Sequence, residues 1–317
     1  FDDELIEGYA TKPALKDGGR YEIWKASELA WCGLYPGELN NKTLDIKADI
    51  DLSAYSLGTG WLPIGMEVSD TITGLRVLGN GHTITGMTVN QKHNRIYVGG
   101  IFQPSNDANY GLFGRLKNSE INNLHIRDAK FTGGRASRIG ALAAFGESLT
   151  VYNCSAQSVV NEESDNTGGL VGSMTNKCSL RFVSADLTFD VGDSYGRTVG
   201  GILGKWERIG GSGFTMSDAY SNLRIRAKGV TAGGMVAKMN VPYPEDEVTS
   251  LLSDCHSNVD VLIDDQRWMT DTEEAVGGLI GCLVFSTQTN KSYRISNCYV
   301  TGSLTGTRTG GVIGSVT

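Results

Sequence analysis

The sequence predicts an all-β protein built as a parallel β-helix, and three observations lead there. First, a short glycine phrase recurs: GLFG at 111–114, GGLVG at 168–172, GGILG at 200–204, GGMVA at 233–237, GGLIG at 277–281 and GGVIG at 310–314, with a weaker copy, IGALAAFG, at 139–146. Second, a strand-like phrase follows each copy, beginning at Ile121, Val151, Leu180, Met216, Leu252 and Ile295. Third, apolar and polar residues alternate inside that phrase, which marks a strand with one face buried. A repeated unit that cannot bury its own apolar face must stack on its neighbours.

The N-terminal stretch lacks the glycine phrase. SELAWCGLY, within 26–35, reads as a short helix with Ser27 as N-cap and Trp31 on its apolar face. KTLDIKADIDL from Lys42 alternates as a strand, and a Gly-Asn-Gly turn follows at 79–81. An open solenoid end exposes strand edges and core, so it needs a cap. Residues 1–50 are therefore expected to be an N-terminal cap with the first strands, and 51–317 one continuous β-helix. The chain stops at GGVIGSVT, in mid-coil. The expectation is a trimmed end or a further domain.

The glycines opening each core are taken as Gly111, Gly140, Gly169, Gly201, Gly234, Gly278 and Gly311, at steps of 29, 29, 32, 33, 44 and 33. Few Asn-Gly hairpin signals separate the strands, so the units read as successive coils rather than a meander. A Gly-Gly corner fits a backbone that turns where a Cβ would clash. In the second phrase one column holds Leu124, Cys154, Val183, Ala219, Cys255 and Cys298, all small or apolar, as inward-facing residues should be. The column before it holds Asn123, Asn153, Phe182, Asp218, Asp254 and Asn297, mostly residues that tolerate unusual backbone angles. Cys255 and Cys298 are expected on adjacent coils, close enough for a bridge on distance alone, though parallel side chains suit disulfide geometry poorly.

Phrase order, spacing and content resemble the GLUG-motif repeat family across residues 22–317. The glycine cores followed by NC or DC and a strand carry the likeness, together with SELAW, ADIDLS, WLPIG and LGNGHTITGMTV upstream. The resemblance implies a right-handed β-helix in large secreted or surface-anchored bacterial proteins. These include adhesin-like proteins of gut Bacteroides and non-catalytic regions of IgA-protease-type metallopeptidases. It implies no catalytic residue. The phrase decays at 140–145, 180–183 and Ala237, where register is least defined.

Composition narrows the function. The chain has 317 residues with 42 glycines and 6 prolines, which is not collagen-like. A net charge of −7 argues against a nucleic-acid surface. No apolar run is long enough to span a membrane. The first residues lack the pattern of a signal peptide, so any such segment, or a lipid anchor attached through it, belongs to a removed N-terminus. Six cysteines follow the repeat, and no C-x-x-C occurs.

No catalytic constellation emerges. The histidines, His82, His93, His125 and His256, form no HExxH, and each reads as structural or solvent-facing. No serine-nucleophile elbow, P-loop or dinucleotide fingerprint passes its context test. Two acidic runs, Glu245, Asp246 and Glu247, and Asp264, Asp265, Asp271, Glu273 and Glu274, read as solvated charge, with calcium or polysaccharide-acting catalysis as rival readings. No metal and no cofactor is expected.

Insertions in a solenoid fall at fixed corners. The loops after the glycine core carry Trp206, Glu207, Arg208, Tyr243 and Tyr293, and the loops before the next core carry Tyr195, Arg267 and Trp268. An aromatic on a protruding loop can stack on a sugar or contact a protein. The plain alternative is that each ring tucks back on its own loop. Trp268 with Arg267 is the first candidate, and Trp206 with Glu207 and Arg208 the second. The sequence thus reads as a non-catalytic, adhesin-like protein, a monomer at an extracellular bacterial surface or outer membrane, that binds glycan or protein through corner loops. The alternatives are a polysaccharide-acting enzyme, or a spacer that presents another domain.

Overall fold

Strand Arg20–Ile23 lies parallel to Thr43–Ile46, which lies parallel to Arg76–Leu78, so one coil is already stacked on the next before the first glycine phrase. The computed structural model describes residues 9–90, 95–98, 101–104, 108–132, 136–207, 213–241, 248–263, 275–285, 292–306 and 308–317. The glycine-core strands form one eight-stranded parallel sheet from Ile72–Thr73 through Phe113–Lys117, Ala143–Glu147, Val171–Thr175, Leu203–Glu207, Val236–Val241 and Ile280–Phe285 to Ile313–Val316. The second-phrase strands stack in parallel as well, through His125–Thr132, Ser155–Asn161, Ser184–Gly200, Phe214–Gly233, Val248–Ile263 and Tyr299–Thr305. This is an all-β parallel β-helix. Two antiparallel strand pairs occur among the described residues, Ala14–Lys16 with Arg20–Ile23 and Arg95–Val98 with Ile101–Pro104, and both precede the first glycine core.

The helix Ala26–Leu34 begins one residue before its expected cap. Its N-cap is Lys25, not Ser27, because the Glu28 carboxylate reaches back to accept hydrogen bonds from the backbone N–H groups of Trp24 (2.7 Å) and Lys25 (3.3 Å). Its buried residues, Leu29, Ala30, Trp31 and Cys32, are continuous with the solenoid core.

The paired glycines serve close approach. At Gly168, Gly200, Gly233, Gly277 and Gly310 a Cβ would overlap the carbonyl oxygen three residues ahead; at Gly169, Gly201, Gly234 and Gly278 it would overlap the carbonyl of the equivalent glycine one coil on. The weak copy shows the register. Gly140 pairs with Gly168, not Gly169, so GALAA overlies GGLVG and that step is 28 rather than 29.

The column before the thiols is left-handed in every coil. Asn123, Asn153, Phe182, Asp218, Asp254 and Asn297 have φ of 54°, 50°, 53°, 53°, 54° and 53°. Asparagine suits this conformation and adds a ladder, with Asn153 Nδ2 donating to Asn123 Oδ1 (2.7 Å) and Asn297 Nδ2 to Asp254 Oδ1 (3.1 Å). A second left-handed column, Asn41, Gly74, Asn118, Ser148 and Asn176, turns the chain just before strands Thr43–Ile46, Arg76–Leu78, Glu120–Asn122, Thr150–Tyr152 and Cys178–Arg181. The thiol column faces inward as expected. Cys154 and Cys255 are buried, Cys298 is partly so, and all six cysteines are free.

Near the N-terminal end Asp45 is buried, with its side chain 3 % exposed. Burial opposes its ionisation, but hydrogen bonds from Lys47 and Asn80 and the charges of Lys47 and Arg20 outweigh it, and its pKa lies below the ordinary carboxylate value. Lys47 Nζ is 2.6 Å and Asn80 Nδ2 2.7 Å from the carboxylate.

Two outcomes are expected. Gly234→Ala destabilises by about 3 kcal/mol or more, because the new Cβ overlaps the Gly278 carbonyl and Ser257 Oγ; Gly192→Ala, whose Cβ meets nothing within 4 Å, stays near wild type. Urea unfolding of both variants measures the contrast. Asp45→Asn lowers stability by about 2 kcal/mol at neutral pH. A depressed folded pKa stabilises above the unfolded pKa and is lost as pH falls through the folded one. The gap between wild type and variant should therefore close on acidification, as read from thermal midpoints between neutral pH and pH 3.

Candidate functional site

The strand phrases put alternate residues outside, and on the flank of the later coils these form ordered columns. Tyr220, His256 and Tyr299 stand over one another. Tyr220 meets His256 edge-on at 5.2 Å between ring centroids, and His256 stacks on Tyr299 at 3.9 Å with 21° between planes. Two residues along each strand lie Asn222, Asn258 and Thr301. Asn258 Nδ2 donates to Asn222 Oδ1 (3.0 Å) and Thr301 Oγ1 donates to Asn258 Oδ1 (3.2 Å). Two further along lie Arg224, Asp260 and Ser303. Arg226 holds the Asp260 carboxylate at 2.7 Å, and Arg224 approaches it at 3.8 Å.

The aromatic band continues across the left-handed corner of the preceding coils. Tyr152 and Phe182 meet edge-to-face at 5.5 Å, and the Arg181 guanidinium lies 4.8 Å from the Phe182 centroid while its Nε is 3.4 Å from Asp218 Oδ2. Tyr152, Phe182, Tyr220, His256 and Tyr299 thus mark five successive coils. Tyr220 is 43 % and Tyr299 58 % exposed. Phe182 holds a left-handed φ of 53°, rare for a bulky residue. Such strain persists where surrounding structure fixes it, and it clusters at functional positions.

Burial and hydrogen bonding set the protonation of several described side chains. The thiols of Cys154 and Cys255 are pushed up to about 12 by burial and that of Cys178 to about 11, so they stay protonated and poorly nucleophilic. Asp49, bonded by the Thr83 amide, Asp51, by the Ser53 amide, and Asp260, by Arg226, are held below the ordinary carboxylate range. A general acid needs the opposite shift. Among the described residues no three His, Cys, Asp or Glu side chains gather where one metal ion could sit. A polar cleft of about 370 Å³ follows the second left-handed corner, lined by Arg76, Asn118, Ser119, Glu120, Ser148 and Thr150, but it offers no aromatic wall.

The loop candidates fare differently. Trp206 is not a loop residue: it ends the inward side of strand Leu203–Glu207, is 2 % exposed, packs on Phe214 at 5.6 Å and donates its indole N–H to Asn176 O at 3.2 Å. The strand runs three residues past the glycine phrase, and alternation carries Trp206 into the core. Glu207, on the outward side, pairs with Lys205 at 3.0 Å and accepts from Asn240 at 3.1 Å. Tyr195 lies within strand Ser184–Gly200, its side chain outside the described residues, as is that of Tyr293. Arg208, Tyr243, Arg267 and Trp268 lie outside the described residues, as do both acidic runs. The aromatic column lies within the strand phrases, not in the loops. Aligning MSDAYSN, LSDCHSN and ISNCYVT places Tyr220, His256 and Tyr299 in one column that alternation puts outside.

No family model matches the chain. A stretch of 128 residues, 39 % of the chain, is 32 % identical to halomucin of Haloquadratum walsbyi and spans 1 % of that protein. The fold resembles the crystal structure of a Bacteroides ovatus protein named as a candidate immunoglobulin A1 protease, with a TM-score of 0.58 and 15 % identity over 97 % of this chain and 86 % of the other. That likeness shows the fold. No described helix is long and apolar enough to cross a membrane.

Trp206→Ala is expected to destabilise the protein by about 3–5 kcal/mol, as truncating a buried tryptophan does. Denaturant unfolding measures it.

Proposed function

We propose that this chain is a non-catalytic, adhesin-like binding region of GLUG-repeat type in an extracellular or surface protein, and that it contacts glycan or protein through the aromatic flank rather than the corner loops. The observation that carries this reading is the band of surface rings on five successive coils, four of them exposed and His256 half-buried between Tyr220 and Tyr299, bordered by amide and ion-pair columns. Exposed aromatics on a rigid surface are the usual anchors of recognition. The arginines described on this flank are matched internally, with Arg224 and Arg226 on Asp260 and Arg181 on Asp218, so recognition would rest mainly on rings, amides and hydroxyls. A stretch like halomucin and a fold like the Bacteroides ovatus protein support a surface setting.

The test is an array of immobilised glycans, mucins and matrix proteins, probed with wild type and with the Tyr220→Ala, Tyr299→Ala double variant. Wild type should bind at least one class and leave it uncleaved by mass spectrometry, and the double variant should lose about tenfold in affinity. No binding to any member, or cleavage of the bound ligand, would overturn the reading.

A further inference from the structure

The outward column beside the thiols, followed toward the N-terminus, is not aromatic throughout. It reads His125, Ser155, Ser184, Tyr220, His256 and Tyr299. Two small residues, Ser155 and Ser184, stand between the rings of His125 and Tyr220, and the difference in side-chain length leaves a notch in the column. Three coil steps separate His125 from Tyr220, about 14 Å at the spacing of adjacent strands. On the corner side the wall is Tyr152 and Phe182, backed by Arg181. On the strand side, two residues further along the same coils, stand Gln157 and Asp186. His125 Nδ1 lies 2.8 Å from Ser155 Oγ. The Asp186 carboxylate has no ion pair or hydrogen bond among the described residues, whereas Arg181 is matched by Asp218.

We propose that this notch binds the ring of a neutral sugar, an inference that rests on the flank being the binding surface. A pyranose has an apolar C–H face and an edge of hydroxyls. Tyr220, with Phe182 and Tyr152, supplies the aromatic surface for the face. Ser155, Ser184 and Gln157 supply donors and acceptors, and Asp186 supplies a charged acceptor for the hydroxyl edge; such charge-assisted bonds are the stronger kind. The same carboxylate, on a chain of net charge −7, repels sialic or uronic acids and phosphate. An apolar peptide side chain seated here would strip water from Asp186 and the serines without replacing their hydrogen bonds.

The experiment uses the whole chain with lactose, cellobiose and mannobiose as neutral probes and sialyllactose as the acidic one, followed by ligand-observed NMR and calorimetry. At least one neutral disaccharide should bind, and sialyllactose should bind at least about tenfold more weakly than lactose or not at all. Tyr220→Ala and Asp186→Asn should each weaken binding about tenfold. Ser184→Trp, which fills the notch and removes none of the other contacts, should abolish it. Trp24→Ala, an exposed ring in the N-terminal region, should leave it unchanged. Thermal midpoints confirm that each variant is folded. The proposal fails if no neutral sugar binds, if sialyllactose binds as tightly as lactose, or if Ser184→Trp and Tyr220→Ala bind like wild type. Those results together with a positive array sink the notch alone; a blank array sinks the flank reading as well.

Discussion

The close approach of successive backbones at the paired-glycine corner is the constraint from which the rest follows. At Gly201, Gly234 and Gly278 the space a Cβ would occupy is filled by the carbonyl of the next coil. Only glycine lets the coils meet there, and the hydrogen bonds that link the corners, such as Gly201 N–H to Gly233 O at 3.0 Å, run from coil to coil. Once this corner is in register, a one-residue slip elsewhere would turn inward residues outward. The Leu, Val, Ile and Cys columns then fall inside together.

The left-handed column works from the opposite side of the same problem. Each coil must bend between two strands without breaking the stack, and a residue with φ near +53° does so in one step. Asparagine and aspartate fill most of these positions at little conformational penalty and tie neighbouring coils through their side chains. Phe182 gives up that advantage. Its ring instead joins Tyr152 and Arg181 at the surface, so this corner has traded local backbone ease for an exposed aromatic group.

Much of this was legible in the sequence because a solenoid writes its inside as repeated columns. The glycine pairs, the thiol column and the turn column all recur at a readable period. The weak copy at Gly140 was misplaced by one because Ala141 and Ala144 replace two of the glycines that mark the register. Trp206 follows the glycine core, where the sequence suggests a loop; its inward direction depends on strand Leu203–Glu207 continuing beyond the phrase, which pairing with Val236–Val241 decides. The N-cap lies at Lys25 rather than Ser27 because Glu28, at the third helical position, reaches back to the backbone N–H groups of Trp24 and Lys25 and fixes the chain there. The aromatic flank was visible only by reading down columns across coils, since within any one coil it is a single residue.

This asymmetry bears on where binding belongs in such a molecule. Inward columns are fixed by packing and glycine clearance, so they can vary little from coil to coil. Outward columns are held just as rigidly by the ladder, yet nothing in the core dictates their identity. Rings and amides placed there are already aligned by the strands and give up little conformational freedom when a ligand arrives, which a long loop cannot match. A change from serine to tyrosine between Ser184 and Tyr220 therefore reshapes the surface without disturbing Val183 or Ala219 beneath it. Recognition built this way extends over several coils, and its specificity is set by the order in which small and aromatic residues succeed one another along the stack.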